Sequence, residues 1–220
     1  MRLGFLLVSL AIITLDVYSA QTIKAGCTMK KHGSGEEIGR VLFMKEGTNK
    51  YTVVARLRSD EETVKTGEHG FHVHTNGVDE TMDSWDCGTT GGHFNPEVVN
   101  HGCADCDVRH VGDFANIKSG EDNQVKFKAI FTVESGDVLE KRRPEGRQWY
   151  SQSNGAKIVR YTVKEAPFEM TGLHGIIGKG VVLHDNPDDL GLSENNGASY
   201  SGNAGSRKAC CTLENLELGE

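Results

Sequence analysis

Residues 124–133, QVKFKAIFTV, decide the fold class. Successive side chains of an extended chain point to opposite faces, so Val125, Phe127, Ala129, Phe131 and Val133 fall on one face and Lys126, Lys128 and Thr132 on the other. YTVVARLRS at 51–59 behaves similarly. Strands of this kind bury one face against a second sheet and leave the other to water. With 27 glycines, several short alternating runs and few long helical periods, the prediction is an all-β domain, built as a sandwich with turn-rich connections.

The first residues stand apart from that domain. Arg2, the apolar run LGFLLVSLAIITL and the small-residue end VYSA form a secretory leader over 1–20. The run is shorter than the roughly 18–20 apolar residues a membrane span needs, and no second run follows. The expected products are a removed leader and a secreted, extracellular mature domain over 21–220. Losing Arg2 and Asp16 leaves the net charge at −7, so nucleic acid is not an expected partner. No N-x-[ST] sequon occurs.

Six cysteines survive processing: Cys27, Cys87, Cys103, Cys106, Cys210 and Cys211. In an oxidising compartment an even count reads as disulfides, but counting cannot assign the pairs. Cys103 and Cys106 form a C-x-x-C that suits either a local disulfide or a metal-ligand pair; export favours the disulfide.

Three stretches do not read as strands: the glycine-rich 75–110, the charged 134–156 and the turn-rich 185–206. Long connections in a compact domain are commonly functional, and two of these three carry or border histidines. In HGFHVH, 69–74, His72 and His74 would project from one strand face, about 6–7 Å apart and close enough to share an ion. HFNPEVVNHGCADCDVRHVGD, 93–113, adds His93, His101, His110 and Asp113, a sufficient tetrahedral set for zinc. His184, in VVLHD, closes an apolar strand. Six histidines and one aspartate are too many for one tetrahedral ion and suit two, and imidazole takes copper as readily as zinc.

GFHVH, HFNP with its spaced HG and RHVGD, GVVLHDNPDDLG and GNAGSRKAC resemble, in order, the motifs of the copper/zinc superoxide dismutases. The resemblance implies a Greek-key β-sandwich or barrel with long metal-binding and electrostatic loops. It also implies a secreted enzyme that converts superoxide to dioxygen and hydrogen peroxide by copper redox cycling. Carried over by position, it assigns copper to His72, His74, His93 and His184, and zinc to His93, His101, His110 and Asp113, with His93 bridging the ions and carrying a proton. Asp188 would link His72 to His101, and Arg207 would guide the anion. His69 resembles a structural histidine of the family, while His32 and His174 match no ligand position. Cys87–Cys210 would tie the metal-bearing loop to the last strand, and Cys27–Cys211 would pair if the first and last strands are neighbours. Superoxide is the implied substrate, and a homodimer is left open.

The chain departs from the family in three places. The span from Asp113 to His184 is long, and the excess around 134–166 is expected as a surface insertion on a connection between strands. A shorter extension separates His74 from His93. Tyr200 stands where the family often has a lysine, which predicts weaker steering of anions. The alternatives are a secreted copper/zinc-binding module without fast turnover and an interaction protein that works through the basic insertion.

Overall fold

The computed structural model describes residues 22–60, 65–119, 124–134, 149–153, 156–193 and 198–216; the leader at 1–20 lies outside them. The strands are β1 (Thr22–Lys31), β2 (Glu37–Glu46), β3 (Lys50–Arg58), β4 (Gly67–His74), β5 (Asp113–Ser119) and β6 (Gln124–Val133). They continue with β7 (Trp149–Ser153), β8 (Ala156–Val163), β9 (Gly180–His184), β10 (Arg207–Thr212) and β11 (Glu214–Leu216). One helical turn, α1 (Ala198–Ser201), precedes β10.

Neighbouring strands run β3-β2-β1-β10-β9-β4-β5-β6, and a full antiparallel pairing of β3 with β6, from Lys50–Thr132 to Arg58–Gln124, closes the circuit. The expected sandwich or barrel is thus an eight-stranded closed barrel. The alternating residues face its interior. Val125, Phe127, Ala129 and Phe131 from β6, Tyr51, Val53, Ala55 and Leu57 from β3, and Val41 and Phe43 from β2 are all buried. Edge-to-face aromatic contacts knit the core, among them Phe43–Phe114 at 5.2 Å and Tyr51–Phe168 at 5.2 Å between ring centroids. Such pairs add about 0.5–1.5 kcal/mol beyond the area they bury.

The expectation of a surface insertion over 134–166 needs correction in its second half. β8 runs parallel to β6 from Phe127–Lys157 to Val133–Val163, and β7 pairs antiparallel with β8. β5 meets β6 only at Ser119–Val125, so β8 lines the stretch of β6 that β5 leaves bare. Val159, Tyr161 and Val163 enter the core, and Tyr161 stacks on Phe131 with centroids 4.7 Å apart. The insertion therefore adds wall. Residues 135–148 lie outside the described residues.

All six cysteines are bridged: Cys27–Cys211, Cys87–Cys210 and Cys103–Cys106. β1 and β10 are neighbours, with Lys30 opposite Cys210, which brings Cys27 within reach of Cys211. With a sequence separation of 123, Cys87–Cys210 should stabilise by about 5 kcal/mol in a chain-entropy account. With a separation of 3, Cys103–Cys106 should contribute only about 2 kcal/mol.

If β8 is part of the core, Tyr161→Ala removes a large buried side chain and should lower unfolding free energy by about 3 kcal/mol. Denaturant titration checks this; a loss below about 0.5 kcal/mol, the scale of a surface change, would return β8 to the surface.

Candidate metal centre

β4 places the first two histidines. Phe71 and Val73 point into the barrel and are fully buried, so alternation sends His72 and His74 out of the wall. They are nevertheless only 0% and 1% exposed, because the loop at 75–112 and residues 185–193 and 202–206 close over them. The first loop is stitched to the strand by Thr75 N–H to Gly92 C=O and Phe94 N–H to Val73 C=O, at 2.9 and 2.8 Å, which set His93 beside His74. Gly112 has to be glycine, since a β-carbon there would lie 2.1 Å from the Val73 carbonyl oxygen.

Hydrogen bonds to the surroundings fix which nitrogen of each ring faces inward. His74 Nδ1–H donates to the Gly91 carbonyl at 2.8 Å, His184 Nδ1–H to that of Gly205 at 3.1 Å, and His72 Nε2–H to Asp188 Oδ2 at 2.7 Å. A carbonyl or an ionised carboxylate only accepts, so the other nitrogen of each ring is a lone pair when the imidazole is neutral. On the zinc-type side, His101 Nε2–H donates to Asp188 Oδ1 at 2.8 Å and His110 Nε2–H to the Val99 carbonyl at 3.0 Å. Their Nδ1 atoms lie 2.9 and 3.2 Å from Asp113 Oδ1, and His93 Nδ1 lies 2.9 Å from the same oxygen.

Two groups of inward donors result: His72, His74, His93 and His184, and His93, His101, His110 and Asp113, each within 4.8 Å. His93 belongs to both. Its Nδ1 is among the second group, and its Nε2 is buried without a hydrogen-bond partner. His72 Nδ1 is likewise buried without a partner. Buried polar atoms are rarely left unsatisfied, and lone pairs converging at such distances repel unless a cation lies between them. The donor set therefore fits two metal ions, with imidazole and carboxylate ligands suited to copper and zinc.

Asp188 spans both groups and is held in turn. Asn116 of β5 grips its backbone from both sides: Asn116 Nδ2–H donates to the Asp188 carbonyl, and Asp188 N–H to Asn116 Oδ1, both at 2.7 Å. Gly202, at φ 63°, passes so close that a β-carbon would lie 1.9 Å from Asp188 Oδ1. Arg109, beside His110, donates to the carbonyls of His110, Asp113 and Pro167 at 2.8, 3.0 and 2.9 Å. Neither Asn116 nor Arg109 is marked by spacing, because each acts on backbone carbonyls or amides rather than on a patterned partner.

Arg207 also docks on carbonyls, those of Cys87, Gly88 and Gly91 at 2.8, 3.0 and 2.6 Å. The Gly91 oxygen thus accepts from both Arg207 and His74. Tyr200 is 76% exposed. The other histidines are structural. His69 contacts the carbonyls of His184 and Lys65, His32 Nδ1 accepts from Cys87 N–H, and His174 pairs with Glu97 at 2.9 Å.

The two sides of the site differ electrically. Burial, followed by the charge of His72, pushes His93 and His184 down to about 3. Burial and then His93 and His184 push His74 well below its ordinary value. Burial would lower His101 too, but the carboxylates of Asp113 and Asp188 outweigh it and raise His101 to about 9. Burial would raise Asp113 and Asp188, yet hydrogen bonds from the surrounding imidazoles hold both far below the carboxylate range.

A closed β-barrel with a paired ion site outside its wall defines a class of two-metal barrel proteins. Residues 37–143 match the family described as copper/zinc superoxide dismutase (SODC). The extracellular superoxide dismutase [Cu-Zn] of Caenorhabditis elegans is 30% identical over 203 residues, covering 90% of this chain and 72% of that protein. Its Drosophila melanogaster counterpart is 34% identical over 154 residues, covering 70% of this chain but 64% of its own length. The crystal structure of the clock protein EA4 superposes with a TM-score of 0.63 at 25% identity, covering 98% of this chain and 100% of that one. The chain belongs to the copper/zinc superoxide dismutase family.

With His101 protonated in the metal-free protein and its folded value raised to about 9, zinc must displace a proton at neutral pH. The raised value stabilises the metal-free fold fully below the unfolded value of 6.5 and ceases to do so as pH climbs through about 9. Calorimetry in buffers of different ionisation enthalpy should find about one proton released per zinc at pH 7, falling toward none above about 9. Release that stays constant across this range would contradict the His101 assignment.

Proposed function

We propose that the chain is a secreted superoxide dismutase that converts superoxide to dioxygen and hydrogen peroxide. His72, His74, His93 and His184 would hold copper, and His93, His101, His110 and Asp113 zinc. The observation that carries this reading is that one imidazole, His93, offers Nε2 to one donor group and Nδ1 to the other. Secretion is supported by two relatives named as extracellular enzymes and by the leader-like residues 1–20. Residues 21–220 then form the mature domain, whose N-terminal sequence should begin near Ala20 or Gln21. Among the described residues no helix is long and apolar enough to cross a membrane. A homodimer is part of this proposal, and light scattering of the mature protein decides it.

Bound copper supplies one-electron chemistry, and bound zinc supplies fixed positive charge. The chain's own groups do the rest. His72, His74 and His184 are oriented by outward hydrogen bonds, so little rearrangement is needed when their inward nitrogens are engaged. His93 Nε2 is the atom at which a proton can be held and handed to the reduced oxygen species, because Nδ1 is occupied on the Asp113 side. Asp188 couples the two groups by fixing His72 and His101 together. Arg207, held by three carbonyls, presents a fixed cation to the arriving anion.

Elemental analysis of the recombinant mature protein, paired with a superoxide assay, tests the reading. About one copper and one zinc per chain are expected, and His93→Ala should lower both contents and abolish most activity. Full metal content with no dismutation would favour the binding-module alternative, and loss of copper alone in His93→Ala would remove the bridge.

Electrostatic steering, for which this enzyme family is itself a standard example, raises anion association above what a net negative protein would otherwise allow. With the exposed Tyr200 where the family often has a lysine, Arg207 carries more of that task. Arg207→Gln should cut kcat/KM by about tenfold or more with metal content intact. Tyr200→Lys should raise the rate at low ionic strength, with the gain fading as salt screens it. An unchanged rate in Arg207→Gln, or in Tyr200→Lys at every salt concentration, would contradict the respective role.

A further inference from the structure

Cys103–Cys106 differs from the other two bridges in exposure, span and place. Cys87, Cys210 and Cys211 are at most 2% exposed, and Cys27 is half-buried. Cys106 is exposed and borders a surface cavity of about 330 Å3. Its partner is only 3 positions away, against 123 and 184 for the other bridges, so losing it costs the fold the least stability. C-x-x-C is also the spacing of exchange-active dithiols.

Its place ties this bridge to the metal centre. It lies in the loop between His101 and His110, whose ends are pinned to one carboxylate oxygen. Gly102 N–H and His110 N–H donate to Asp113 Oδ2 at 3.0 and 2.8 Å. The neck of the loop is tight. A β-carbon on Gly102 would lie 2.3 Å from the Val108 carbonyl oxygen, and Cys106 N–H closes a turn onto the Cys103 carbonyl at 3.0 Å. The bridge holds this turn shut directly beside the anchors of His101 and His110.

We propose that Cys103–Cys106 is a thiol–disulfide exchange site for reduced dithiols, and that its reduction speeds zinc loss from the adjoining donors; the second half rests on the zinc reading above. A reagent thiolate attacks the exposed Cys106 Sγ, forming a mixed disulfide while Cys103 leaves as thiolate and takes a proton. The reagent's second thiol then closes on its own sulfur and releases Cys106, so two electrons and two protons pass from the dithiol to the protein and the dithiol becomes a disulfide. Without the bridge, the turn at 103–106 gains freedom, and Gly102 and His110 are less firmly held on Asp113.

The test treats the metal-loaded mature protein with dithiothreitol under native conditions. At intervals, alkylated cysteines are mapped by mass spectrometry and released zinc is read with a chromogenic chelator. Cys103 and Cys106 should be alkylated at least about tenfold sooner than the other four cysteines, because the exposed Cys106 is open to attack while the other bridges are shielded, and zinc release should accelerate in step. A Cys103→Ser, Cys106→Ser variant should release zinc at the faster rate without reductant. Equal reduction of all three bridges would overturn the exchange site, and early alkylation with unchanged zinc release would overturn its link to the metal. A starting protein that takes up no zinc contradicts the zinc reading instead, and the order of alkylation still decides the exchange site.

Discussion

Six imidazoles and the carboxylates of Asp113 and Asp188 are buried side by side, none more than 8% exposed. Desolvating so many polar groups is costly unless each finds a partner. The outward nitrogens of His72, His74, His101, His110 and His184 find carbonyls or Asp188, which leaves the inward atoms facing one another. That constraint explains most of what surrounds the site. The loops must supply carbonyl acceptors at Gly91, Val99 and Gly205, and small residues must let backbone approach. A negative charge must also sit where both donor groups can use it. Asp188 meets the last need, and Asn116 secures it to the barrel wall.

The barrel contributes by anchoring the strands from which the site is built. Phe71 and Val73 anchor β4 in the core while His72 and His74 leave the wall on the opposite face, so two buried apolar neighbours fix two donors. Cys87–Cys210 holds the short 3-10 turn Cys87–Thr90, where the carbonyls of Cys87 and Gly88 receive Arg207. The shared acceptor at Gly91 then places the guanidinium in a fixed relation to His74. Charge attraction and donor geometry are therefore set by the same few backbone oxygens.

Much of this was legible in the residues. The alternation in 124–133 and 51–59 places the same side chains inside as the barrel does, and the spacing of histidines in 69–113, with His184, contains all seven donors. The strand at 156–163 was not read. Val159, Tyr161 and Val163 alternate there, but they follow a long charged stretch and exceed the family's usual spacing, which argued for a surface loop. The parallel pairing with β6 is nonlocal and has no local signature. Asn116 and Arg109 carry no such signature either, because they bind backbone amides and carbonyls, which no residue pattern marks. Ring orientation lay beyond spacing altogether, since it depends on which carbonyl each imidazole meets.

The central claim is that one imidazole, His93, joins two different ions. Anomalous X-ray diffraction from crystals of the metal-loaded protein, recorded on either side of the copper and zinc absorption edges, measures this directly. The account predicts a copper peak beside His93 Nε2, among His72, His74 and His184, and a zinc peak beside His93 Nδ1, among His101, His110 and Asp113. A single peak, or two peaks of which only one contacts His93, would contradict it.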